Sequence, residues 1–121
     1  MDSKEQFITM MKARTKKLAI DVIAFVETLK KNKAASVITY QVLKSATSTA
    51  ANYRAACIAR SKKEFHAKIC IVAEEADETV FWLEVIQDAK LSSDEQELHR
   101  LLDESTQISK IVNKAKNTNY N

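Results

Sequence analysis

The sequence predicts an all-α protein, an antiparallel up-down-up-down four-helix bundle. Three observations carry that expectation. The 121 residues include no glycine and no proline, which removes the common helix breaker and the residue that supplies positive φ in tight turns and phosphate-cradling loops. Apolar residues recur at spacings of three, four and seven through four long stretches, as one buried face of a helix requires. Short polar links separate the stretches, and long helices joined by short links fold back as antiparallel neighbours. At 1.5 Å per residue such a bundle is about 30–40 Å long.

The first helix, roughly 3–31, carries Phe7, Met11, Leu18, Val22, Phe25 and Leu29, widened by a second stripe of Ile8, Ala19, Ile23 and Val26. Its end is expected in the run KKNKAAS, where lysines complement the helix dipole, Asn32 takes a left-handed cap and Ser36 starts the next helix. The second helix, about 37–59, includes Val42, Leu43, Ala46, Ala50, Tyr53 and Cys57. Ser61-Lys62-Lys63-Glu64 has the form of a capping box and opens the third helix, 62–90, through Phe65, Ile69, Val72, Ala76, Leu83 and Ile86. Ser92-Ser93-Asp94-Glu95 repeats that form before the fourth helix, 93–116, striped by Leu98, Leu101, Leu102, Ile108, Ile111 and Val112. Residues Asn117 to Asn121 are expected to fray. The whole span 1–121 reads as a single domain, since about 100–200 residues per domain is usual.

Composition then bounds function. With 45% hydrophobic and 29% charged residues, the chain can bury a core and stay soluble. The longest apolar runs, Ile69–Ala73 and Thr79–Leu83, fall far short of the roughly 18 residues of a membrane span, so no membrane partner is expected. The start, MDSKEQF, lacks the uncharged apolar core of a secretory signal. Cys57 and Cys70 have no paired spacing, which favours reduced thiols and a cytoplasmic setting.

Catalytic patterns are not found. A di-iron bundle uses Glu-x-x-His, but Lys63 stands three before His66 and Gln96 three before His99. Glu74, Glu75, Asp77 and Glu78 are dense enough to bind a cation, but the favoured reading is an exposed acidic helix face. No serine or cysteine has a base at the spacing of a nucleophilic triad. The expectation is a protein that is not an enzyme, with no catalytic residue, metal or cofactor.

Charge divides the chain in two. Residues 1–63 hold 13 Lys/Arg against 4 Asp/Glu, whereas residues 64–121 hold 6 against 12. Within 28–63 there are eight basic residues, Lys30, Lys31, Lys33, Lys44, Arg54, Arg60, Lys62 and Lys63, and no acidic one. Such a surface can neutralise phosphates and give salt-dependent nucleic-acid binding. It can equally be the positive side of a contact within or between subunits. The candidate polyanion-binding residues are Lys30, Lys31, Lys33, Arg60, Lys62 and Lys63, clustered near opposite ends of the second helix and without interleaved surface aromatics. The double stripe on the first helix, with Phe81 and Trp82 on adjacent faces of the third, offers more apolar surface than one small bundle uses. A homo-oligomer would cover it.

A polar pattern marks the second helix. Gln41, Ser45, Ser48, Asn52, Ala55 and Ala59 recur at spacings of four and three, so small and polar residues share one face. A hairpin turning near residue 61 places Ser48 opposite Glu75 and Ser45 opposite Glu78, with hydroxyls donating to carboxylates. The favoured reading is a structural seam that fixes register; the other is a ligand pocket.

The stretches Ser45-Ala46-Thr47-Ser48-Thr49-Ala50-Ala51-Asn52-Tyr53-Arg54, Arg60-Ser61-Lys62-Lys63-Glu64-Phe65 and Glu75-Ala76-Asp77-Glu78-Thr79-Val80-Phe81-Trp82-Leu83 resemble the bacterial 23S rRNA-intervening-sequence proteins. The resemblance implies a small cytosolic four-helix bundle, often a ring-like homopentamer, encoded in some bacteria within insertions in 23S rRNA genes. Ala55 departs from the pattern, since members often carry Glu after the Asn-Tyr-Arg run. A more distant resemblance is to the accessory variability protein of diversity-generating retroelements, a basic pentameric bundle that binds nucleic acid and a reverse transcriptase.

Together these imply a homo-oligomer, pentameric by resemblance, that binds RNA or a nucleoprotein partner through the basic surface of the first two helices. Asn52, Arg54, Glu75, Glu78 and Trp82 would hold the fold. The alternative is a purely structural protein–protein adaptor whose acidic and basic halves meet across subunits. A small-ligand or metal-binding bundle would require a buried polar cavity.

Overall fold

The computed structural model describes residues 2–120, with side chains through residue 117. Its helices are α1 (Ser3–Phe25), α2 (Lys33–Cys57), α3 (Lys62–Asp88) and α4 (Glu95–Tyr120), with a 3₁₀ turn at Val26–Thr28. Each helix packs against its neighbour in sequence and α1 closes on α4, giving the antiparallel four-helix bundle. Among the described residues there is no strand beyond an isolated bridge between Leu29 and Ser92.

That bridge corrects the first helix boundary. α1 ends at Phe25 rather than near residue 31, because the Thr28 hydroxyl donates to the Phe25 carbonyl at 2.7 Å and Leu29 turns extended. The Lys30 amide then donates to Leu91 at 2.9 Å and the Ser93 amide to Thr28 at 3.2 Å. Tertiary pairing between two connections at one end of the bundle overrides the helical preference of the lysines. Asn32, with φ −142°, is the N-cap of α2 and accepts from the Ala35 amide at 2.9 Å. It is not a left-handed cap, and Ser36 lies within the helix.

The other starts follow capping chemistry. Ser61 Oγ accepts from the Glu64 amide at 3.0 Å, satisfying one of the orphan donors of α3. For α4 the cap is Asp94, which accepts from the Glu97 amide at 3.1 Å, while Ser92 supports it by accepting from the Asp94 amide at 2.9 Å. The carboxylate of Asp94, one turn before Leu98, therefore takes the capping place expected of a serine. α4 continues past Asn117, where fraying was expected; residue 121 lies outside the described residues.

α3 ends without glycine. Lys90 adopts φ 55°, and the Leu91 amide reaches back to the Ile86 carbonyl at 3.0 Å while the Lys90 amide reaches Gln87 at 3.1 Å. This is the Schellman pattern, with Leu91 and Ile86 both buried behind it.

Met11, Val22, Val42, Ile69, Val72, Leu83, Ile86, Leu101, Ile108 and Val112 are fully buried, each favouring folding by about 1.5–3 kcal/mol relative to exposure. Hydroxyls also enter the core from every helix: Thr15, Ser45, Thr49, Thr79 and Ser105 are buried. Thr15 and Ser105 lie at similar depth, about 20 Å along their helices from the Leu29–Ser92 end. Thr15 and Thr49 donate to the carbonyls of Met11 and Ser45, each at 2.8 Å, so the low-dielectric interior leaves neither proton unsatisfied.

The α1–α4 contact is fastened by charge. Arg14 grips Glu104 with two guanidinium nitrogens, one of them at 2.9 Å, and this hydrogen bonding raises the arginine pKa. Asp21 accepts from Lys17 and from Arg100, each at 2.8 Å. Burial pushes the Asp21 carboxyl up, but those two cations outweigh it and hold it below the usual carboxylate range.

Candidate nucleic-acid interface

All eight cations between residues 28 and 63 are exposed. The structure does not gather the six candidate polyanion-binding residues into one patch. Lys30, Lys31 and Lys33 stand at the start of α2, whereas Arg60, Lys62 and Lys63 stand beyond its far end, roughly 40 Å away by helical rise. Among the described residues, Arg60 pairs with Glu64 at 3.6 Å and the other five make no ion pair. A concavity of about 390 Å³ opens beside the first group, lined in part by Lys30, Lys31, Asn32, Ser36 and Thr39.

The outward face of α2 connects the two groups. Lys33, Val37, Tyr40, Lys44, Thr47, Ala51 and Arg54 alternate at spacings of four and three, and each is exposed. The opposite face buries Ala35, Val42, Ala46, Thr49, Tyr53 and Ala56, so helical periodicity alone fixes which side meets solvent. Tyr40 is 63% exposed. It supplies the aromatic interleaving that the sequence reading did not find. The signal was present in its spacing, seven after Lys33 and four before Lys44, on the side away from Val42.

The polar face of α2 meets α3 as a hydrogen-bonded seam. Thr79 Oγ1 donates to Ser45 Oγ at 3.0 Å, and Asn52 Nδ2 donates to Ser48 Oγ at 3.0 Å and to the Ser48 carbonyl at 2.9 Å. Ser48 faces the Glu75 carboxyl across the seam. Burial pushes the Glu75 carboxyl up and the neighbouring Glu78 adds to the effect, while Lys44 and Ser48 oppose it. The register differs in one place from the expected pairing: Ser45 meets Thr79 rather than Glu78, which is exposed. The hairpin phase turns the next residue, Thr79, inward, which sequence spacing alone did not separate.

Gln41 is half-buried beside this seam, whereas Arg54 is exposed on the outward stripe. Trp82 is half-buried against the core and meets the exposed Phe81 ring edge-to-face, with centroids 4.9 Å apart. A larger concavity, about 510 Å³, lies elsewhere, between Phe25 and Thr28 on one side and Asp94, Glu97 and Arg100 on the other. Cys57 and Cys70 are free thiols; burial raises the Cys57 pKa, and Cys70 Sγ lies 3.4 Å from His66 Nε2. Among the described residues no three His, Cys, Asp or Glu side chains converge as a metal site. No described helix is long and apolar enough to cross a membrane.

The fold and these surfaces define a small antiparallel helical bundle with a polar α2–α3 seam and a cationic outer stripe. The family model for 23S rRNA-intervening sequence proteins matches residues 8–114, and the chain belongs to that family. Among solved structures, the chain is similar to a protein of unknown function of the S23 ribosomal protein family from Bacteroides thetaiotaomicron. The two share 28% identity with a TM-score of 0.80, over 91% of this chain and 97% of that one. No curated protein matches the sequence.

Proposed function

We propose that this protein is a cytoplasmic, non-enzymatic, homo-oligomeric bundle that binds RNA or a ribonucleoprotein partner through the outer face and both ends of α2. The observation that carries this reading is the run of eight exposed cations, with no carboxylate, between residues 28 and 63. Each cation that reaches a phosphate releases condensed counterions, so the surface favours polyanions in a salt-dependent way. One protomer offers two separated groups of modest density. Repetition around an assembly turns several weak contacts into one strong one through effective concentration.

Exposed apolar side chains support assembly. Ile20 and Ile23 on α1 are 54% and 51% exposed, and Ile58 at the end of α2 is 76% exposed, surface that a second copy would remove from water. A pentameric ring is the arrangement that the family resemblance favours. The test is light scattering coupled to size exclusion, with and without a structured RNA, at low and moderate salt. We expect a defined oligomer that shifts with RNA at low salt, and loss of that shift when Lys30, Lys31 and Lys33 are replaced by Glu. An oligomer indifferent to RNA would replace this reading with the protein–protein adaptor, in which the basic first half meets the acidic second half of a neighbour.

A further inference from the structure

We propose that Tyr40 is a stacking platform for an unpaired nucleobase, making single-stranded RNA the ligand of the α2 face. This rests on the RNA-binding reading above and narrows it to a class of RNA. Tyr40 is 63% exposed in the middle of a regular helix whose core side is already filled by Val42 and Ala46. By contrast, Tyr53 on the same helix turns inward and is 5% exposed. Folding therefore does not account for an aromatic ring at position 40.

The ring sits between cations. Lys33 precedes it by seven residues and Lys44 follows it by four, about 10 Å and 6 Å along the axis, on the same face. Val37 lies between Lys33 and the ring and is 57% exposed, adding an apolar shoulder. Among the described residues no ring packs on Tyr40. Lysines flanking an open aromatic face match a strand whose phosphates lie to either side of a splayed base. In an A-form duplex the bases are stacked on one another, and proteins contact its 2′-hydroxyls and phosphates instead. The lysines would serve either form, but the ring serves only unpaired bases. A copy of the same α2 face would bring cation against cation, which disfavours that occupant.

Fluorescence anisotropy with a labelled single-stranded pyrimidine RNA and a labelled RNA duplex of equal length, at low salt, separates the terms. We expect the wild type to favour the single strand and Tyr40→Ala to weaken that binding roughly tenfold, a typical loss for one stacked base. Duplex binding should stay unchanged in Tyr40→Ala, Tyr40→Phe should bind as wild type does, and Lys33→Glu with Lys44→Glu should weaken both RNAs. A wild type that binds both RNAs equally, with Tyr40→Ala unchanged, would overturn the stacking platform and leave the RNA-binding reading standing. A wild type that binds neither would overturn both. If Tyr40→Ala instead dissociates the oligomer in light scattering, the ring belongs to a subunit contact and the platform is wrong.

Discussion

The hydroxyls of Ser45 and Thr79 meet 3.0 Å apart inside the α2–α3 seam, both side chains buried. Ser45 passes its own proton to the Val42 carbonyl at 3.2 Å, and Thr79 also lies 2.9 Å from the Glu75 carbonyl. The bond thus joins two helices, each of which offers a local fallback. Ser45→Ala and Thr79→Val should each cost about 1 kcal/mol, the usual net worth of a buried hydrogen bond. The double variant should cost less than the sum by about 0.5–1 kcal/mol, because the second change removes a partner already lost. Urea unfolding of the four proteins measures this. Strict additivity would mean the two hydroxyls do not stabilise one another.

Glu75 makes the seam sensitive to pH. Burial raises its carboxyl pKa, and the charge of Glu78 raises it further. A raised folded-state pKa favours the fold while the group holds its proton, below the unfolded value. That contribution is lost as pH rises through the folded value. Glu75→Gln keeps the shape of the side chain and removes the ionisation. The urea midpoint of Glu75→Gln relative to wild type should therefore be higher at pH 7 than at pH 4. A difference independent of pH would mean that Glu75 titrates alike in both states.

The architecture was legible because its determinants are local and repetitive. Met11, Val22, Ile69, Leu83, Leu101 and Ile108 fall on the apolar stripes that helical periodicity selects, and all are buried. The seam was legible in part, because antiparallel counting brings Ser48 to Glu75. The same counting missed Thr79, since one residue of phase decides whether position 78 or 79 points inward. The end of α1 was hidden for another reason. Nothing near residue 26 announces a stop, and the chain is drawn out of the helix by Leu91, Ser92 and Ser93, more than sixty positions away. Tyr40 was overlooked because an aromatic at an outward position breaks no local rule. It becomes informative only when Lys33 and Lys44 are seen on the same exposed face.

The absence of glycine leaves a mark at the end of α3. Lys90 holds φ 55°, where a Cβ crowds the following carbonyl and a non-glycine residue costs roughly 1–2 kcal/mol. The Schellman bonds to Ile86 and Gln87 and the buried Leu91 keep it there. Lys90→Gly removes the crowding, while the greater freedom of glycine in the unfolded chain returns about 0.4–1 kcal/mol of the gain. The net expectation is stabilisation of up to about 1 kcal/mol, a rise of a few degrees in Tm. Lys90→Ala separates this effect from loss of charge, because alanine keeps the Cβ and should give no rise. Thermal unfolding of both variants decides the matter: a Tm for Lys90→Gly at or below that of Lys90→Ala would show that the left-handed geometry carries no recoverable strain.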